Sequence, residues 1–535
     1  MSTAHALYLI GCGDAEQLRH QLEAATAQTM GFKAYNLLRM SQINLPVPPA
    51  FVLGTSYCQD DATRAKACEP ASWAHGLTAL QDACQQWLGD ARQPLLLSVR
   101  SGAPVSMPGM METLLNIGLC DATVSGMIRQ TGNPRLVWDA YRRLVVTYAE
   151  VVAGLDPALF DAETAAVAGG RDERDLDFAE LRTITRACLA TYAREAGQAF
   201  PQDPQAQLTA AIAAVLKSWQ SAKACEYRRV NQLPDDLGTA VTVQQMVFGN
   251  AGGQSGAGVG FTRDPATGEP HLWVDFLFNA QGEDVVSGRR SAHGHAEMAS
   301  VLPHAWQSLR DAASQLEHHF GDMQDFEFTV QDGRLYMLQT RSGKRTPQAA
   351  ARIALDLLDE GLISRDTARG RTSKLKPQDL MIQRVVSADG QALTPLAHAA
   401  TACTGVAIGE IALDEARARA RFASGASVIL VRRDAETSDM AALVSATGLL
   451  TQRGARTSHA AVVARQLGKV CLVGCSAMSL DESAHSLAFG ELILHEGDVV
   501  TLDGNEGAIY AGAASTVVEE PVELLARLIQ LNAAQ

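Results

Sequence analysis

The sequence predicts a multidomain protein of the α/β class, and three observations carry that expectation. The chain has 535 residues, which at roughly 150 residues per domain implies three or four domains. Its 47% hydrophobic and 19% charged residues suit several packed cores and exclude a disordered chain. Apolar runs of strand length alternate with helical periodicity, give way to helices alone, and then return. In order, LYLIG, a polar helix reaching about Met40, PAFVLGT and PLLLSVRSG make an α/β opening. Residues from about 120 to 240 read as successive helices, including VWDAYRRLVVTYAEVVAGL and DFAELRTITRACLATYAREAG. Strands resume from TAVTVQQMVFG to LYMLQTRSG, and TPQAAARIALDLLDEGL forms a helical connector. A strand-rich segment follows, with GVAIGEIA, ASVILVRR, GLLTQRG, KVCLVG, VVTLDG and AIYAG, and VVEEPVELLARLIQLN reads as a terminal helix. The expected boundaries are 1–345 with a helical insertion at about 120–240, a connector at 346–385, a second domain at 386–515 and a tail at 516–535.

Lys and Arg number 45 against 59 Asp and Glu, a net charge of −14, and neither sign forms a long block. An electrostatic nucleic-acid clamp is therefore not expected. No run approaches the roughly 18 apolar residues of a membrane span, and the N-terminus lacks a basic region, so a cytoplasmic protein without a membrane partner is expected. The ten cysteines contain no C-x-x-C pair. Cys471 and Cys475 lack two further zinc ligands at suitable spacing, so they read as packing residues.

The most informative run is GLLTQRGARTSHAAVVARQLGK. A buried strand leads through the turn Arg453-Gly454-Ala455-Arg456 to Thr457 or Ser458 as N-cap, then into a helix with Val462, Val463 and Leu467 on its apolar stripe and Gly468 as terminator. His459 falls in the first turn, where free N–H groups, the positive dipole end, Arg453 and Arg456 would stabilise bound phosphate. Imidazole, with an ordinary pKa of about 6.5, is largely neutral and nucleophilic at pH 7. His459 is thus a candidate phosphoryl acceptor. A histidine that only occupies the start of a helix is the alternative.

In DMQDFEFTVQDGRLYMLQTRSGKR, Asp325 and Glu327 share one strand face, as do Gln339 and Arg341 on the next strand. Were the two faces to coincide, they would form a floor suited to Mg²⁺ and a triphosphate; a solvated hairpin face is the alternative. A two-residue Asp332-Gly333 turn would send the polar pairs to opposite faces. The shared floor therefore calls for a connection of three or five residues, with Glu327 opposite Gln339 and Asp325 opposite Arg341. Further glycine-rich or basic elements could cradle phosphate: Gly31-Phe32-Lys33, Ser98 to Gly102 with Arg100, Met107 to Met110, and Gly249 to Gly258. For the last of these, loop geometry is the stronger reading.

The motifs GFKAYNLLRMSQINLPVPPAFVL, LLSVRSGAPVSMPGMMETLLNIGL, VQQMVFGNAGGQSGAGVGFTRDPATGE, FNAQGEDVVSGRR, DMQDFEFTV with LYMLQTRSGKRTPQAA, and RGARTSHAAVVARQLGK occur in this order. Together they closely resemble the pyruvate, phosphate dikinase family over nearly the whole chain. The resemblance implies an ATP-grasp nucleotide-binding domain with the helical insertion, followed by a swivelling phosphohistidine domain. It implies that Lys33, Arg100 and Arg341 contact ATP phosphates, that Asp325, Glu327 and Gln339 hold nucleotide and metal, with Glu327 and Gln339 on Mg²⁺, and that Gln244 and Met246 border adenine. His459 would carry the phosphoryl group, supported by Arg453, Gly454, Thr457 and Ser458.

Departures from the family pattern shape the expected function. Gly252-Gly253-Gln254-Ser255-Gly256-Ala257-Gly258 stands where G-E-N-S-G-T-G is usual, without a carboxylate and a hydroxyl. Phe32 and Tyr35 replace small residues. The family's dikinases continue into a TIM barrel that binds pyruvate and phosphoenolpyruvate, and this sequence stops at Gln535. The expectation is an ATP-dependent phosphotransferase that releases AMP and passes the phosphoryl group from His459 to a small-molecule acceptor or a separate acceptor-binding subunit. The other readings are one half of a split dikinase and a non-catalytic ATP-binding phosphocarrier. A homodimer is among the assemblies this reading admits.

Overall fold

The computed structural model describes residues 6–105, 107, 110–286, 293–387, 393–434, 440–454, 456 and 458–533. Thr457, most of the 106–109 loop and the SGRR segment named from the sequence lie outside the described residues. The architecture is mixed α/β. The chain divides into Met1–Gly252 with Tyr336–Thr340 (unit one), and Gly253–Leu335 with Arg341–Gln535 (unit two).

Unit one is built on an antiparallel sheet in the order Leu7–Ile10, Ala50–Leu53, Ala240–Gln245, Leu97–Gly102, Thr113–Ile117. Ala50, Phe51, Val52 and Leu53 are all fully buried, so this strand is covered on both faces. Six α-helices occupy Asp121 to Val230. The longest, Phe178–Ala196, starts with a capping box between Asp177 and Glu180. It packs on Pro134–Val151, and Phe200 meets Tyr148 and Tyr192 edge-on at 5.2 and 5.5 Å.

One close crossing organises the sheet end of unit one. Gly31 has φ 76°, and a Cβ there would lie 1.9 Å from the Gly102 carbonyl oxygen. Only glycine fits such an approach. Phe32 N then donates to Ala103 O at 2.9 Å, which fixes the start of helix Phe32–Gln42 beside the end of strand Leu97–Gly102.

A sheet in the order Arg334–Ser342, Gln324–Gln331, Gly256–Phe261, Trp273–Phe278, His293–Gly294 belongs to unit two apart from Tyr336–Thr340 of its first strand. Its middle strand carries glycine at alternate positions. A Cβ on Gly256 would lie 2.2 Å from the Phe276 ring, one on Gly258 2.4 Å from Phe328, and one on Gly260 2.6 Å from Phe326. Phe276 and Phe328 stack at 5.8 Å on that face. The glycines at 256 and 258, part of the glycine-rich run, thus serve aromatic packing. The register aligns Trp273, Phe261 and Asp325 in one row of the opposite face, and Asp275, Val259 and Glu327 in the next.

A second sheet has eight strands, in the order Ala397–His398, Ala508–Ala511, Val499–Asp503, Val406–Ala412, Val428–Arg432, Gly448–Thr451, Val470–Val473, Ala400–Cys403. Val406–Ala412 through Val470–Val473 run parallel, and helix His459–Gln466 connects the last two of these. A three-stranded sheet over Met478–His495, absent from the sequence reading, covers one side of the same core. The predicted terminal helix is shorter than expected. Ser515–Glu519 pairs as a strand with Ile382–Val386, and the helix starts at Val522 after Pro521. Among the described residues no helix is long and apolar enough to cross a membrane.

Gly258→Ala is expected to destabilise the protein by about 2 kcal/mol, because the methyl group must displace stacked rings. Gly253→Ala, with nothing within 4 Å of its Cβ position, should stay within about 0.5 kcal/mol. Urea midpoints of the two variants compare them directly. Gly31→Ala should cost at least about 2 kcal/mol through its positive φ and backbone clash, which the same measurement checks.

Candidate functional site

In unit one the Gly31 crossing brings together two residues named from the sequence. Lys33 is the second residue of helix Phe32–Gln42, exposed near its N-terminus. Arg100 lies on the adjoining strand, half-buried, opposite Thr242 and Thr113. Its guanidinium has no hydrogen-bond or ion-pair partner among the described residues, which leaves all its donors for an anion. Gln339 is buried, and the next residue, Thr340, accepts a hydrogen bond through its carbonyl from Asn36 Nδ2 at 2.8 Å. That bond ties the Gln339 segment to the Lys33 helix. Gln244 is 2% exposed and its Nε2 donates to Pro48 O at 2.9 Å, so the amide anchors a turn. Met246 is half-buried just beyond the strand, and its N donates to Leu96 O.

In unit two, Asp325 and Arg341 meet. Arg341 Nε donates to Asp325 Oδ2 at 2.7 Å. Burial pushes the Asp325 carboxyl up from the ordinary carboxylate value, and Arg341 opposes this. Burial likewise acts against the Arg341 charge, but Asp325 and Glu327 outweigh it and hold the guanidinium more firmly protonated. Arg341 is the chief group opposing the effect of burial on Asp325, and Glu327 lies half-buried in the neighbouring row.

The connection that produces this meeting differs from the one expected. Strand Gln324–Gln331 is joined to Arg334–Ser342 by Asp332 and Gly333 alone, with φ of 50° and 76°. This is the two-residue type I′ geometry that Asp-Gly favours, and the expected connection of three or five residues is corrected. An unbroken ladder from that turn would place Asp325 opposite Thr340 and turn Arg341 to the other face. The strand's alternation breaks at Gln339 and Thr340, which are both buried. Arg341 nonetheless reaches Asp325, one position beyond that partner. The turn itself is held by Gln254 O, which accepts from Gly333 N at 2.8 Å, and by Ser255 Oγ, which accepts from Asp332 N at 3.0 Å. Within the glycine-rich run, these two residues thus support the hairpin.

The His459 segment follows strand Gly448–Thr451. Ser458 is the N-cap of helix His459–Gln466, its Oγ accepting from Ala461 N at 3.4 Å, and Gly468 beyond the end has φ 64°. His459 is the first helical residue, as expected. The buried stripe is not the predicted one. Ala461, Ala464 and Arg465 face the core, Val462 and Val463 are half-buried and Leu467 is 42% exposed, because the helix lies close on strands Ala400–Cys403 and Val470–Val473, where small side chains fit. Arg453 is exposed, and Gly454 has φ 121°.

Arg456, named from the sequence beside a bound phosphate, is taken up by Asp275 and Trp273 on the carboxylate face, and Arg465 accompanies it. Arg456 Nη2 lies 3.2 Å from Asp275 Oδ1, and its guanidinium sits 3.9 Å above the Trp273 ring. Arg465 is 2% exposed and lies 5.3 Å from the Phe261 ring. The period-2 alternation of WVDF would have put Trp273 and Asp275 on one face, but nothing local to that strand indicates the arginines.

Comparison with known proteins gives the family of the chain. Residues 70–294 and 292–361 match the family model described as pyruvate phosphate dikinase, AMP/ATP-binding domain. Residues 425–507 match the PEP-utilising enzyme, mobile domain. The chain is 40% identical over 501 residues to pyruvate, phosphate dikinase of Clostridium symbiosum, covering 92% of this chain and 57% of that protein. It is 41% identical over 489 residues to the chloroplastic pyruvate, phosphate dikinase of Flaveria pringlei, covering 90% and 51%. With pyruvate, phosphate dikinase 2 of Zea mays it shares 40% over 491 residues, covering 91% and 56%. The chain spans about half the length of the curated relatives it matches. On two matched domain models and this identity along nine-tenths of its length, the chain belongs to the pyruvate, phosphate dikinase family.

Proposed function

We propose that this chain moves a phosphoryl group from ATP to His459, releases AMP, and passes the group to an acceptor bound outside these 535 residues. The observation that carries the reading is in unit two: the segment opening helix His459–Gln466 contacts, through Arg456, the same sheet face that bears Asp325 and Glu327. A nucleophile at a helix N-terminus near a charged floor suits phosphoryl transfer, which is positioning plus charge stabilisation.

In this reading Lys33, Arg100 and Arg341 take the polyphosphate oxygens, Lys33 as a point charge and the arginines as forked donors. Gln244 and Met246 border the adenine through their place on the strand and just after it. Asp325 keeps Arg341 oriented. Glu327 and Gln339, which the resemblance names for Mg²⁺, carry hard oxygen donors, and the two-residue turn leaves their pairing on that resemblance alone. Among the described residues no group of three or more His, Cys, Asp or Glu could hold a metal. Mg²⁺, when bound, would neutralise phosphate charge. The His459 imidazole attacks the β-phosphorus, the α–β bridging bond breaks towards AMP, and the terminal phosphoryl then leaves to water or phosphate. Ser458 and Gly454 set the approach of the helix, with Thr457 and Arg453 beside them.

ATP labelled separately at the β and γ positions tests the reaction. AMP with β-label on the protein is the expected result, and ADP as sole nucleotide product would replace the dikinase reading with an ordinary kinase. His459→Ala should abolish acid-labile label while ATP affinity changes less than about twofold, since nucleotide and nucleophile are held by different elements; label that persists would remove His459 from the reaction. Arg341→Ala should slow loading on the order of 100-fold and destabilise the fold by about 3 kcal/mol by stranding Asp325. Adding Asp325→Asn should recover stability in the urea midpoint without recovering the rate.

A further inference from the structure

We infer that Arg456, Trp273 and Asp275 form the seat on which the His459 segment rests during phosphoryl loading, with Arg456 as a positioning residue. The inference rests on the phosphohistidine reading above and names how that site is assembled.

Trp273 shares a row with Phe261 and Asp325, and Asp275 shares the next with Val259 and Glu327. The seat therefore borders the carboxylate floor on the same sheet face. Arg456 stands three residues before His459 in sequence. Its guanidinium makes two contacts at once, lying 3.9 Å over the indole ring while Nη2 reaches Asp275 Oδ1 at 3.2 Å. Asp275 is 3% exposed, so this cation approaches a buried carboxylate. Such a contact favours one docked geometry more strongly than a surface pair would.

A second arginine fixes the first. Arg465 Nε donates to Ala402 O at 2.9 Å and Nη2 to Arg456 O at 3.3 Å, while its guanidinium lies 5.3 and 5.8 Å from the Phe261 and Trp273 rings. Arg465 thus holds the Arg456 peptide from within the helix that His459 opens. The line of contacts runs from strand Ala400–Cys403 through Arg465 and Arg456 to the five-stranded sheet. It is polar and cation–π in character, and such contacts form and release without leaving a large apolar surface bare. That suits a segment matched by a mobile-domain model. Losing the seat would lower the docked population of His459 and slow loading. ATP affinity would be spared, because neither Arg456, Trp273 nor Asp275 is among the proposed nucleotide contacts.

The test is rapid-quench, single-turnover loading of acid-labile label from β-labelled ATP at saturating concentration, with ATP affinity measured in parallel by equilibrium dialysis. Arg456→Ala and Trp273→Leu should each slow loading on the order of tenfold or more with ATP affinity within about twofold. Arg456→Lys and Trp273→Phe, which keep the cation and the ring, should recover part of the rate. The double variant should be no slower than the slower single one, because both residues act in one unit. Wild-type loading in both single variants, or a loss matched by weaker ATP binding, overturns the seat. Hydrogen–deuterium exchange of the unloaded protein reads the seat without catalysis: Arg456→Ala should exchange faster than the wild type in the peptide covering Trp273–Phe278, and unchanged exchange overturns the seat. Should the wild-type protein take no acid-labile label, the phosphotransfer reading falls, while the exchange comparison still reports the seat.

Discussion

The organisation of the candidate site depends on one packing constraint: the alternate glycines of strand Gly256–Phe261 lie beneath three phenylalanine rings. With hydrogen in place of Cβ at 256, 258 and 260, Phe276, Phe326 and Phe328 can close over the backbone of the strand. A one-residue slip of either neighbour would drive a ring into Ala257, Val259 or Phe261. The register is therefore fixed by sterics on the aromatic face. Its consequence appears on the other face, where Asp325, Glu327, Asp275 and Trp273 are held in two rows without depending on one another for placement. A polar face positioned by the opposite, apolar face can carry buried like charges that would not assemble by themselves.

Those charges then need partners. Asp325 has Arg341, whose Nε bonds it at 2.7 Å, and Asp275 has Arg456 at 3.2 Å. The first partner comes from the adjacent strand and the second from the segment preceding His459. The same rule, that a buried carboxylate requires a cation or hydrogen-bond donors, thus builds the floor in one case and joins it to the His459 segment in the other. In unit one the corresponding constraint is the contact of Gly31 with Gly102, which positions Lys33 and Arg100 by backbone approach.

Much of this was legible in the sequence because it is local. The cap at Ser458, the helix beginning at His459 and the stop at Gly468 follow from side-chain competition for the first free N–H groups and from glycine's tolerance of positive φ. The common face of Asp325 and Glu327 follows from the period of a strand. The family resemblance was legible too, because six motifs in order constrain far more than any one of them. The buried stripe of the His459 helix was misread, because Val462, Val463 and Leu467 look more apolar than Ala461 and Ala464. The sheet beneath the helix admits only small side chains there, and that is a property of the neighbour.

By itself the sequence determined the class of fold, the order of its elements and the residue types available for phosphoryl chemistry, since these depend on periodicity, capping and composition along the chain. Only the tertiary structure decided which of those residues meet. The Asp332-Gly333 turn has the two-residue form its sequence favours, yet Asp325 and Arg341 meet across the two strands. Arg465 lies near a helix end, where solvent would be its ordinary surroundings, and is instead buried and bonded to Ala402 and Arg456. Both outcomes arise from groups distant in sequence, and a contact of that kind is set by what packs against a residue.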